Sequence, residues 1–173
     1  TYWIESGLDK MGSIWGGSAF KFGIYSRDDA ENKESAGKRL YTAEYGWLEK
    51  YGENPEDAFN SVKGEILKTI DAVTSRSISI IDEVDLGHAY KWKIAFHYQD
   101  RRKPLVVPIF KWEALLAITQ SESKIPVSQI HGTLISQKEP DEDLLSYGRT
   151  LWGQYSGLAK IWKVSHGMTD FTP

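Results

Sequence analysis

The stretch from Asn54 to Val73 constrains this chain more than any other. Asn54-Pro55-Glu56-Asp57 reads as a helix start, because Asn caps orphan amides, Pro suits the first helical position, and two carboxylates favour the positive end of the helix dipole. Behind it, Phe59, Val62, Ile66, Ile70 and Val73 recur at three- and four-residue steps, while Lys63, Glu65 and Lys68 fall off that stripe. A helix with one apolar face needs a second layer to bury it.

Period-two patterns supply candidates for that layer. Ala19 to Ser26 alternates Phe20, Phe22 and Ile24 with Lys21, Gly23 and Tyr25. The clearest strand pattern is Tyr90, Trp92, Ile94, Phe96 and Tyr98 alternating with Lys91, Lys93, Ala95, His97 and Gln99, an aromatic face backed by a polar, cationic one. Asp100 to Pro104 would turn the chain into a partner strand, Leu105 to Phe110, with Pro108 pushing it toward an edge or a bulge. Ser77 to Ile81 reads as a short strand or the run into one, Lys111 to Gln120 as a helix, and Ile125 to Ile135 fits either state. Pro140-Asp141-Glu142-Asp143 opens another helix running to about Gly157, and Arg27 to Arg39 reads as an exposed loop.

The expected fold is therefore α+β, a small antiparallel sheet packed against two to four helices. Three segments are expected: 1–18, where Met11-Gly12-Ser13 has the look of a start preceded by foreign residues; 19–157, the α+β module; and 158–173, a linker and the first strand of another unit.

Composition narrows the function classes. The 173 residues include no Cys, which excludes a disulfide scaffold, a thiol nucleophile and zinc sites that need thiolate. No run approaches the roughly 18 apolar residues of a membrane span, and the first residues lack a signal-peptide layout, so a cytoplasmic protein is expected. The net charge of −3 hides an asymmetry: Lys91, Lys93, Arg101, Arg102, Lys103 and Lys111 stand against Asp100 alone, giving +5 for that stretch and −8 for the remainder. Phosphate neutralisation is local and distant acids are screened, so a polyanion partner stays open. The plain alternative is a solvated hairpin whose charges protect a strand edge.

Catalytic motifs are missing from the sequence. The glycines fit neither the phosphate loop nor the dinucleotide fingerprint, no Gly-x-Ser-x-Gly elbow occurs, and His88, His97, His131 and His166 lack metal-pair spacing. Asp82, Glu83 and Asp85 ahead of Lys91 and Lys93 superficially suggest a metal nuclease, but no acid sits between the lysines, and an acidic surface turn explains them. Neither cofactor nor metal is expected. Trp92, Phe96, Phe59 and Phe110 fall on apolar faces and read as core. Trp15, Tyr41, Tyr45 and Trp47 lie in less periodic segments and are candidates to stack on a base.

Two stretches carry a resemblance. Glu44-Tyr45-Gly46-Trp47, Lys50-Tyr51-Gly52, Ala58-Phe59, Ile81-Asp82, Asp85-Leu86-Gly87 and Tyr90-Lys91-Trp92-Lys93-Ile94-Ala95-Phe96 resemble an N-terminal region of proteins related to the AAA+ subunit of McrBC-type, modification-dependent restriction systems, over roughly Phe20 to Trp152. Lys160-Ile161-Trp162-Lys163-Val164-Ser165-His166-Gly167, continuing to Asp170-Phe171, resembles the opening strand of an EVE-like domain of the PUA superfamily. The resemblance implies a non-catalytic DNA-recognition module, including recognition of modified DNA in phage defence, with motor and nuclease subunits outside this chain. No base-pocket residue carries over.

The resulting expectation is DNA binding with no membrane partner. Lys91, Lys93, Arg101, Arg102 and Lys103 would neutralise phosphates, His97 and Gln99 would make polar contacts, and Tyr45, Trp47, Trp15 or Tyr41 would stack on a base. The alternatives are a protein-interaction or assembly domain of that motor and, third, a metal-dependent nuclease.

Overall fold

The computed structural model describes residues 22–27 and 37–165, with side chains as far as Leu158. Trp15, the segment 1–18 and the last eight residues, 166–173, lie outside them. Among the described residues stand three strands, β1 (Ile24–Ser26), β2 (Arg39–Tyr41) and β3 (Tyr45–Leu48), and six α-helices. The helices are α1 (Pro55–Thr74), α2 (Ser79–Asp82), α3 (His88–Tyr98), α4 (Trp112–Thr119), α5 (Val127–Gln137) and α6 (Leu144–Ser165). The fold is α+β, with a small antiparallel sheet, as expected.

β3 is the middle strand, antiparallel to both neighbours. Trp47 stands opposite Ile24 on one side and Leu40 on the other, and Gly46 lies opposite Tyr25. The missing side chain at Gly46 makes room for the Tyr25 ring, whose atoms would lie 2.8 Å from an added Cβ. A 3-10 turn, Glu49–Tyr51, then leads to Gly52, where an added Cβ would meet the Ala58 nitrogen at 2.8 Å. Only glycine lets the sheet hand the chain so closely to the start of α1.

α1 begins as its sequence dictates. The Asp57 amide donates to Asn54 Oδ1 at 3.0 Å, and Pro55 occupies the first turn with Glu56 and Asp57. Its buried face is centred on Ala58, Val62, Thr69, Ala72 and Val73, so it is rotated from the expected stripe. Ile66 and Ile70 are half-buried, and Phe59, expected in the core, is 54% exposed. The helix closes with a Schellman pair: the Ser77 amide donates to Ala72 O and the Arg76 amide to Val73 O, with Arg76 at φ 64°. The following residues form the short helix α2 where a strand was expected.

The main correction concerns residues 90–98. The expected strand is α3, a helix in which every residue from Tyr90 to Phe96 is buried. A helix packed on all sides has no polar face, so it carries no 3.6-residue signature, and a chance alternation stood in its place. Tyr90 and Ile94 close one core with Phe22, Trp47, Ala58 and Val62. Trp92, Ala95 and Phe96 close a second with residues from the C-terminal helices, including Leu115, Ile130 and Leu134. α3 is thus a wall shared by both cores.

The expected partner strand, Leu105 to Phe110, forms no ladder either. It has no regular secondary structure and is largely buried, and its backbone groups at residues 105 and 106 bond to the Gln99 side chain. Asp82, at the end of α2, serves as a cap, its Oδ1 accepting from the Ser128 amide at the start of α5 at 3.2 Å. α6 starts at Leu144, later than expected, because Asp143 caps it through the Ser146 amide at 2.9 Å. It continues as one helix to Ser165, where a break near Gly157 and a strand were expected.

Candidate functional site

The expected cationic strand face does not exist as a surface. Lys91 is buried, and its Nζ donates to the carbonyls of Asp82 at 2.8 Å and Val84 at 3.0 Å, tying α3 to the end of α2. Burial lowers its pKa, opposed by Asp82, Asp85 and Glu65. Lys93 has no exposed surface, and burial lowers its pKa as well. Gln99 is buried in its clamp on residues 105 and 106. These three leave the list of DNA contacts, because a group enclosed in the fold cannot reach a phosphate.

Arg101, Arg102 and Lys103 are exposed, as expected. They sit in a turn at the C-terminal end of α3, where Asp100 Oδ1 accepts from the Arg102 amide at 3.0 Å and Asp100 O accepts from the Lys103 amide at 3.1 Å. The Arg102 amide holds the Asp100 carboxyl below the usual range. Arg102 also pairs with Asp100 through Nε at 3.3 Å, but its side chain is 91% exposed, and such a pair contributes little. The Arg101 guanidinium lies over the Phe96 ring, 5.8 Å from its centroid. His97 is half-buried, with its pKa lowered by burial and then by Lys93 and Arg101.

This turn forms one wall of a groove of about 380 Å³. Arg101, Arg102 and Pro104 line it from the turn after α3, and Lys138, Pro140, Glu142 and Asp143 from the segment ahead of α6. Ile135 and Leu145 add apolar surface. Lys138 donates to the carbonyls of Glu139 at 2.6 Å and Glu142 at 2.7 Å, which fixes the loop carrying the carboxylates. The groove therefore has a cationic wall and a mixed, largely acidic one. Sequence reasoning missed Lys138, Glu142 and Asp143, which lie far along the chain from Arg101; the two acids were read only as the opening turn of a helix.

The aromatic candidates divide. Trp47 is 3% exposed and donates through Nε1 to Gly52 O at 2.9 Å, so it is a core residue and not a platform. Tyr41 is half-buried with the Arg27 guanidinium 5.4 Å from its ring centroid. Tyr45 is 40% exposed. Both tyrosines belong to the sheet, which packs on the first core, whereas the groove is built by elements of the second.

Two of the three acids weighed for a nuclease have structural partners: Asp82 caps α5, and Asp85 pairs with Lys50 while its carbonyl accepts from the Tyr51 hydroxyl; Glu83 is exposed. Among the described residues, no cluster of three or more His, Asp or Glu could hold a metal ion, and no helix is long and apolar enough to cross a membrane.

No protein-family model matches the chain, and comparison with curated proteins and with solved structures found no match.

Proposed function

We propose that the chain is a non-catalytic DNA-binding specificity module, of the kind that the resemblance to McrBC-type AAA+ restriction subunits implies. The supporting observation is the exposed triplet Arg101-Arg102-Lys103, displayed after a helix buried from Tyr90 to Phe96, on a turn held by Asp100. Rigid presentation lowers the ordering cost of contacting phosphates. The footprint is smaller than the sequence suggested, because Lys91, Lys93 and Gln99 serve the fold.

Equilibrium binding of duplex DNA across a salt series tests this reading. Arg101→Glu with Arg102→Glu should weaken binding and flatten its salt dependence. Binding unaltered by that double charge reversal would remove the turn from the interface and overturn the reading.

A protein-interaction role for the motor's assembly is the second reading, and one observation favours it. Phe59 and Leu67 are large, exposed apolar side chains on α1. An interface built there would respond little to salt, in contrast to phosphate binding.

A further inference from the structure

The groove beside Arg101 is built in a way that a simple phosphate-binding patch is not. A duplex backbone asks for cations clear of carboxylates, yet here Arg101 and Arg102 share a groove with Glu142 and Asp143, and Pro104, Ile135 and Leu145 add apolar lining. Carboxylates repel phosphate, so their place in the groove calls for a ligand with hydrogen-bond donors as well as negative charge.

An unpaired nucleotide has that division. Its phosphate suits the arginines, and its flat faces suit the apolar strip and the guanidinium planes. An exocyclic amino group of cytosine or adenine suits a carboxylate acceptor. Asp143 already spends Oδ2 on the Ser146 amide, which holds its carboxyl below the usual range, so Glu142 is the wall residue with an uncommitted role as acceptor. The volume, about 380 Å³, lies at the small end of the range for ligand pockets and fits one nucleotide better than a folded segment.

We infer that the groove between residues 100–104 and 138–145 binds unpaired DNA strand, preferring bases that carry an exocyclic amino group. This inference rests on the DNA-binding reading. Arg101 and Arg102 hold the phosphate, and Glu142 selects the base.

The test uses the full chain and fluorescence anisotropy with labelled oligo-dC, oligo-dA and oligo-dT and a duplex of equal length. Oligo-dC and oligo-dA should bind at least about five-fold tighter than oligo-dT, and tighter than the duplex. Glu142→Ala should bring oligo-dC and oligo-dA to the level of oligo-dT without abolishing binding, a pattern that misfolding would not produce. Equal affinity for the three strands, or a preference that survives Glu142→Ala, overturns the inference. Duplex binding that depends on Arg101 and Arg102, with weaker single-strand binding, overturns the inference but leaves the DNA-binding reading standing. Binding to none of the four probes overturns both.

Discussion

Gln99 and Val106 bind each other in both directions: Gln99 Nε2 donates to the Val106 carbonyl and the Val106 amide donates to Gln99 Oε1, each at 2.8 Å. The same Oε1 accepts from the Leu105 amide, also at 2.8 Å. One carboxamide thereby does for this buried, irregular segment what a neighbouring strand would do in a sheet.

Gln99→Leu keeps the volume but strands two amides and a carbonyl. It should destabilise the fold by about 3 kcal/mol or more, read as a lower urea midpoint with unchanged slope. A loss below about 1 kcal/mol, the net value of a single ordinary hydrogen bond, would show that these groups find other partners and that the clamp is not needed.

Lys91 separates structural cation from surface cation. Lys91→Met removes the donor to the Asp82 and Val84 carbonyls and should cost about 2 kcal/mol of stability. DNA affinity measured on the folded protein should stay at the wild-type value. Reduced affinity at full stability would return Lys91 to the interface.

Acid should loosen the second core through His131. This residue is fully buried against Trp92, with ring centroids 4.7 Å apart, and burial lowers its pKa to about 3, with His88 adding to the effect. The unfolded chain takes up a proton near the ordinary value of about 6.5 and the folded one does not. Stability is therefore complete above about pH 6.5 and is lost as pH falls toward 3, by about 2 kcal/mol at pH 5. His88 and His97, also lowered by burial, act in the same direction. Urea midpoints from pH 7.5 to 5 should fall more steeply for the wild type than for His131→Leu. Parallel pH profiles would show that His131 is not the group responsible.

Two glycines of α6 should respond oppositely to alanine. At Gly148 an added Cβ would lie 2.2 Å from Pro108 Cγ, whereas at Gly153 nothing lies within 4 Å. Gly148→Ala should cost about 1–3 kcal/mol through overpacking. Gly153→Ala should gain about 0.5–1 kcal/mol from helix propensity. Thermal unfolding of the two variants checks both, and a stabilised Gly148→Ala would mean that α6 is not held against Pro108.

The features legible in the sequence are those written locally. The start of α1 is encoded by Asn54, Pro55 and two acids within four residues, and the Arg101-Arg102-Lys103 turn by unbroken polarity. α3 was illegible because Lys91 and Lys93 read as surface residues, and only the packed fold reveals that Lys91 serves backbone carbonyls and that Lys93 is enclosed. Leu105 to Phe110 was misread as a strand: its burial followed from its apolar residues, but its bonding to a side chain in place of a partner strand did not. Phe59 shows the reverse error, since a helical stripe gives direction only to within a fraction of a turn, and α1 buries the flank beside it. The groove was illegible for a different reason. Its walls come from residues some forty positions apart in the chain.

The shared wall has a mechanical consequence. With Tyr90 and Ile94 holding one side and Trp92, Ala95 and Phe96 the other, α3 cannot slide or turn to suit one core without opening gaps in the other. Its 11 residues form a strut about 16 Å long, with the Arg101 turn at one end and the junction with α2 at the other. A load applied to the arginines is therefore borne by the whole domain, and amide exchange along this strut should require global unfolding.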